Sequence, residues 1–352
     1  MNLKLEPPTC DDRLIRELWL SAYLRPTVTV ADELGVFPLL EQAPATVAEL
    51  GARLSLPPRA AEAMMATLAA AGLLVSVQGR FHLTEVSRNF LLPAKPFYWG
   101  HMLRLFRDIP LSHERLLEAL RKDEPSVLND GNVVTDTWEA AELPPEQAVA
   151  ITRAMHSHSM AIAVGLARQI DLSGTRRLLD VAGGSGCFCI ALAQHHPEIR
   201  FTVADLPAVC RVTEQYVAEH DLRDRIDVMA LDMFRGEWPS SHDAIFFANI
   251  LHDWDRARRS QLLRRSFEAL PPGGRILLCE MLLSDGQDGP LTAALFSVNM
   301  VYLTLGKQFT AGELDALLRE CGFVDVSVTP VVAGYSLISA SKPPLPKVGA
   351  GA

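Results

Sequence analysis

The chain has 352 residues, 49% of them hydrophobic, which is ample for a large core in two or three units. Its net charge of −9 contains no basic block, which argues against nucleic acid as a partner. No apolar run reaches the ~18 residues of a membrane span, and MNLKLEPPTCDDR lacks a secretory layout, so a soluble cytoplasmic protein with no membrane partner is expected.

Residues 11 to 40 hold two amphipathic helical runs, DDRLIRELWLSAYL and TVTVADELGVFPLL, with Pro26 between them. Their small side chains suit helix-on-helix packing, including across a homodimer. Thr46-Val47-Ala48-Glu49 is a capping box that opens a short helix, and Pro57-Pro58 start another, Arg59 to Ala71, which Gly72 stops. Two short strands, Leu73 to Val77 and Arg80 to Leu83, meet at Gln78-Gly79. Helix, helix, hairpin is the winged-helix order. A DNA-reading helix presents Arg, Lys, Asn or Gln, whereas RAAEAMMATLAAA is small and apolar, so the module reads as structural or dimer-forming.

Residues 97 to 170 read as mainly helical, with an irregular loop from Asp123 to Trp138 near a pocket mouth. His156 and His158 stand i, i+2 on a helix and diverge, so no shared metal is expected. The cysteines at 10, 187, 189, 210, 279 and 321 lack paired C-x-x-C spacing and read as reduced core thiols.

RRLLDVAGGSGCFCIALAQHHPEIRFTVAD, residues 176 to 205, is the organising stretch: a buried strand (Leu178 to Val181), a turn through Gly183, Gly184 and Gly186, a helix (Cys187 to His195) and a second strand ending on Asp205. This is the mononucleotide half of a doubly wound α/β sheet, with an acid placed to accept the two hydroxyls of a ribose. The third glycine of a dinucleotide fingerprint is absent, which favours a sulfonium cofactor without a pyrophosphate, S-adenosylmethionine, over NAD. Further on, strand Ile226 to Ala230 leads to Asp232, strand Ala244 to Asn249 leads to His252, and strand Arg275 to Cys279 ends on Glu280. Three polar residues at the carboxyl edge of one parallel sheet are expected to converge on a ligand. Thr310-Ala311-Gly312-Glu313 is a second capping box, and strands Asp325 to Thr329 and Tyr335 to Ser341 close the sheet with one antiparallel member.

DVAGGSG, VADLP, LDMF, NILHDW, ALPPGGRILLCEM and GKQFTAGELDALLRECGF, in that order, resemble the caffeic-acid-type S-adenosylmethionine-dependent O-methyltransferases, in their bacterial natural-product branch. The resemblance covers nearly the whole chain. It implies a winged-helix dimerisation domain at 1–95, a helical region at 96–170 lining the substrate pocket, a Rossmann-like catalytic domain at 171–342 and a disordered tail at 343–352. It further implies that Gly183, Gly184 and Gly186 border the methionine part of the cofactor. Asp205 would hold the ribose; Leu206, Asp232, Met233 and Phe234 would surround the adenine, and Asn249 would stand near the cofactor. His252 matches the general base and Glu280 the carboxylate that orients it. Met155, His158, Asp253 and Asn299 match positions near the acceptor, a hydroxylated aromatic small molecule such as a secondary-metabolite phenol or hydroxyquinone.

The residue types suit that chemistry on their own. A phenol with pKa near ~10 is neutral at pH 7, and an imidazole near ~6.5 can take its proton as the oxygen attacks a methyl group. Three positions depart from the family pattern. Ala182 replaces a glycine, Ala248-Asn249 replaces a lysine of plant members, and Gln308 replaces a second carboxylate beside the histidine, which makes His252 a weaker base by expectation. Two rival readings remain: an N- or C-methyltransferase or non-methylating relative of the same fold, and a winged-helix regulator.

Overall fold

A computed structural model describes residues 7–107, 109, 111–126, 133–140 and 143–345. The chain divides into two compact units, at 108/109 rather than at 95.

The first unit is built from α1 (Arg13–Leu20), α2 (Leu24–Glu33), α3 (Val36–Gln42), α4 (Val47–Leu54), α5 (Pro58–Ala70), the hairpin β1 (Leu74–Val77) and β2 (Arg80–Leu83), α6 (Glu85–Phe90) and α7 (Gly100–Arg107). Pro26 does not separate two helices as expected. It lies in the first turn of α2, where its missing N–H has no intrahelical partner to lose. The box at Thr46 forms, with Glu49 N–H donating to Thr46 Oγ1 and Thr46 N–H to Glu49 Oε2. Helix α5 turns Ala61, Met64, Met65 and Leu68 into this unit's core, beside Phe37, Leu40 and Leu50. By contrast α1 buries nothing within the chain: Leu14, Ile15, Leu18 and Trp19 are 60–71% exposed.

The second unit begins with α8 (His113–Lys122), α9 (Val134–Glu139) and the long α10 (Pro145–Ala167). The expected loop at 123–138 is therefore part helix, because TDTWE is polar but unbroken by glycine or proline; residues 127–132 lie outside the described residues, as do 346–352 of the expected tail. Strand and helix then alternate through β3 (Arg177–Val181), α11 (Cys187–His195), β4 (Arg200–Asp205), α12 (Pro207–Glu219), β5 (Ile226–Ala230), β6 (Ala244–Ala248), α13 (Arg256–Ala269), β7 (Arg275–Leu283), α14 (Leu291–Leu303), β8 (Phe309–Thr310), α15 (Ala311–Glu320), β9 (Val324–Pro330) and β10 (Tyr335–Ser341).

The sheet order is β5-β4-β3-β6-β7-β10-β9, with β8 pairing β7. Strands β3 to β7 are parallel and β10 runs antiparallel between β7 and β9, as the closing hairpin implied. Central strands such as LLDV and IFFA are buried on both faces, which is why they read as continuous apolar runs rather than alternating ones. Strand β7 runs four residues past Cys279, so Glu280 sits inside it and not at its end. The extra length pairs with Tyr335 of β10 through Met281 and with Phe309 of β8 through Leu282.

Candidate active site

At the β3–α11 turn, Ala182 and Gly184 take φ of +55° and +58°, and Gly186 caps α11 at +72°. Gly183 carbonyl accepts from Gly186 N–H at 2.9 Å, which closes the turn. Ala182 holds a left-handed conformation that a glycine would take without strain, so the turn survives that substitution at a local cost.

Asp205, the last residue of β4, accepts the N–H of Gly184 at one oxygen (2.8 Å) and of Leu206 at the other (2.7 Å). Burial pushes its pKa up and the two N–H groups hold it back, leaving it at about 6, ionised at neutral pH. Each carboxylate oxygen keeps a lone pair for a further donor. Where a Cβ on Gly184 would stand, no atom lies within 4 Å. A diol-bearing nucleotide with an uncharged sugar fits an open backbone face beside such a carboxylate.

The residues expected near the adenine have partners within the chain. Asp232 Oδ1 accepts from the N–H groups of Phe234 and Arg235, so it caps its own turn; Met233 carbonyl accepts from Trp238 Nε1, and the Phe234 ring stands edge-on to Trp254 at 4.7 Å. Leu206 packs beside Leu143, Ala148 and Val209. Asp232 follows β5, which sheet order sets three strand spacings or about 14 Å from β6, because β4 and β3 lie between, while the Phe234–Trp254 contact two residues further on closes part of that gap.

His252 and Glu280 do meet. After β6, Asn249 turns the chain at φ +56° and a single 3₁₀ turn, Leu251–Asp253, carries His252. The register pairs Ala248 with Cys279, which brings Glu280 alongside; its Oε1 accepts from Leu251 N–H at 3.2 Å and its Oε2 lies 3.1 Å from His252 Nδ1. Asp253 Oδ1 stands 3.7 Å from His252 Nε2. Burial disfavours the charged ring, but Glu280 and then Asp253 outweigh it and push the pKa from 6.5 up to about 9. Two acids remain beside the ring, so its pKa lies above the free value even with an uncharged amide at Gln308. Asp253 is itself pushed up to about 7 by burial, against the pull of His252.

The Phe296 ring of α14 stands edge-on to His252 at 5.1 Å and to His158 of α10 at 5.9 Å. His158 is held down at about pKa 4, by burial first and His252 second, so it is neutral. Its Nε2 faces the hydroxyl of Tyr335 at 3.3 Å, and that hydroxyl donates to Asn249 Oδ1 at 2.9 Å. The Asn249 amide is therefore linked through Tyr335 to His158. Met155, 37% exposed, lies on α10, and Asn299 is half-buried on α14.

Several functional candidates escaped the sequence reading. Tyr335 and Phe296 come from strand and helix positions with no motif. His156, dismissed as a ligand, stacks on Tyr216 at 4.1 Å and lies 2.9 Å from Ser185 Oγ in the glycine turn. Buried Asp180, the acid of DVAGG, is pushed up to about pKa 7 by burial. Among the described residues no group of three or more His, Cys, Asp or Glu could hold a metal ion.

A family model for the O-methyltransferase domain matches residues 113–324, and one for the O-methyltransferase dimerisation domain matches 17–93. The chain belongs to the O-methyltransferase family. The chain is 34% identical over 91% of its length to a 3-hydroxy-5-methyl-1-naphthoate 3-O-methyltransferase of Streptomyces sahachiroi, 92% of which is covered. It is 32% identical over 84% of its length to an L-tyrosine C(3)-methyltransferase of Streptomyces lavendulae, covering 82% of that protein. The solved structure of human N-acetylserotonin methyltransferase in complex with SAM superposes with a TM-score of 0.83 at 26% identity, over 96% of this chain and 100% of that one. This O-methyltransferase is accordingly S-adenosylmethionine-dependent, which agrees with the Asp205 carboxylate and open turn described above.

Proposed function

We propose that this methyltransferase transfers a methyl group to the hydroxyl of an aromatic small molecule, with His252 as general base and Glu280 as the carboxylate that orients it. The observation that carries the reading is the buried Glu280–His252 pair at 3.1 Å, at the carboxyl end of β6 and facing the Phe296 ring. When bound, the cofactor supplies an electrophilic methyl group on a positively charged sulfur. Asp205 accepts the ribose hydroxyls, and the segment from Asp232 to Phe234 with Leu206 borders the adenine. Nδ1 keeps its proton toward Glu280, so Nε2 offers a lone pair to the acceptor hydroxyl and takes its proton as the oxygen attacks. Glu280 then stabilises the imidazolium, as a buried acid does in other histidine bases. Phe296 and Met155 give a flat apolar contact for the ring, and neutral His158, fixed through Tyr335 and Asn249, offers polarity without a competing charge.

A hydroxynaphthoate is the first acceptor to try, since the Streptomyces sahachiroi relative acts on one. Purified protein with labelled cofactor, screened against hydroxynaphthoates, phenols, hydroxyquinones and amino-aromatics, should incorporate methyl into a hydroxyarene. A product methylated only on nitrogen would sink the reading. Methyl found on ring carbon by NMR would favour a second one, C-methylation, for which the L-tyrosine C(3)-methyltransferase relative speaks. The exposed apolar face of α1 within the dimerisation-domain match favours a homodimer, and six free cysteines favour the reducing cytoplasm.

A further inference from the structure

Around the ring of His252 stand Glu280 from β7, Asp253 from its own turn, Phe296 from α14, His158 from α10 with Tyr335 of β10 behind it, and one further side chain, Gln308. The Gln308 side chain is fully buried, with its amide nitrogen Nε2 placed 3.1 Å from Nδ1. Its position is built. The segment from Thr304 to Gln308 is strapped over the 3₁₀ turn: Leu305 N–H donates to Asp253 carbonyl at 3.1 Å, Gly306 N–H to Thr304 Oγ1 at 3.2 Å, and Gln308 N–H to Ser297 Oγ at 3.3 Å. Gly306 presses so closely on the turn that a Cβ there would stand 1.8 Å from His252 carbonyl oxygen. Phe309, the next residue, pairs with Leu282 of β7 and so ties the strap to the strand that carries Glu280.

We propose that Gln308 is a positioning residue that clamps Nδ1 of His252 as a second carboxylate would, while withholding the charge that would keep the ring protonated. The inference rests on the general-base reading above. Two acids already flank the ring, and a base is useful only in the fraction of molecules whose Nε2 is a lone pair. An amide presents its oxygen to a protonated Nδ1 after a half-turn about its last bond, so it holds the ring while raising its proton affinity less than an anion would. Glu280 Oε2 and Gln308 Oε1 are both buried without a hydrogen-bond partner among the described residues, so the half-turn that brings Gln308 Oε1 to Nδ1 would give that oxygen a donor. Two acids already raise the ring to about pKa 9, and a third would hold its proton to higher pH still.

The test compares Gln308→Glu with Gln308→Leu in the full-length protein. In Gln308→Glu the acid limb of kcat/KM against pH, at saturating S-adenosylmethionine, should move up by about one unit or more, with activity at pH 7 down tenfold or more and the high-pH plateau kept. In Gln308→Leu the limb should not move up, and the plateau should fall about tenfold at every pH as the ring loses its clamp. Histidine-ring NMR without acceptor or cofactor, with the His252 signal assigned by its loss in His252→Ala, should show the same upward movement in Gln308→Glu. That titration does not depend on the reaction catalysed, so it separates failure of this proposal from failure of the general-base reading. An unmoved His252 midpoint in Gln308→Glu, or a full plateau in Gln308→Leu, overturns the proposal.

Discussion

Asp205 is held by backbone, through the N–H groups of Gly184 and Leu206, whereas His252 is held by side chains gathered from several elements. The cofactor edge is contiguous: strand, turn, helix and acid fall within 30 residues, and the register of β3 on β4 brings Asp205 to the turn. The histidine pocket draws on the loop after β6, on β7, on the strap before β8, on α10 and α14, and on β10. A site held by backbone tolerates a changed side chain, as Ala182 shows with its positive φ. A site of converging side chains depends on each element arriving in register.

Variants that break this contrast should do so unequally. His252→Ala should lower kcat by roughly 10²–10⁴-fold while the cofactor Kd, read by calorimetry, stays within a few-fold; loss of cofactor binding would show that the two regions are not separable. Gly306→Ala touches neither acid nor base, yet it must push the strap off the His252 carbonyl. We expect about a 10²-fold loss of kcat and a lowered Tm, because catalytic geometry tolerates little displacement. Asp205→Asn should do the reverse, raising the cofactor Kd by roughly 10- to 100-fold with a smaller effect on kcat at saturation, in line with loss of a charged hydrogen-bond acceptor.

The pH profile sharpens the same contrast. A ring with its pKa raised to about 9 is protonated at pH 7, so its base form, and with it kcat/KM, should grow up to tenfold per unit as pH rises from 7 toward 9. A sulfonium bound near the ring would draw that limb lower by repelling the proton. Cofactor affinity should instead weaken as pH falls through about 6, where Asp205 takes a proton. A flat rate profile from 7 to 9 would count against His252 as the base. The smallest effect is expected from Ala182→Gly, a gain of up to about 1 kcal/mol in unfolding free energy with unchanged kinetics, since only backbone strain is relieved.

Much of this was legible in the chain. The helix at Cys187–His195 and both capping boxes form where their residues place them, because the signals are local: glycines at positive φ, a hydroxyl three residues before a glutamate. Glu280 was readable as a partner of His252 through the resemblance, but its depth inside β7 was not, since the strand is lengthened by pairing with β8 and β10. Asp232 was readable as a residue at the sheet's carboxyl edge, but not its distance along that edge, since sheet order sets β5 three strands from β6.

Sequence alone placed most of the elements, and Asp205 and His252 after their strands, because each depends on contacts within a few residues or on a turn that joins adjacent strands. Tertiary structure decided which side chains surround that histidine: Phe296, Tyr335, His158 and the Gly306 strap come from segments remote in the chain. Their meeting is fixed by strand order and by close packing, for which no local pattern exists.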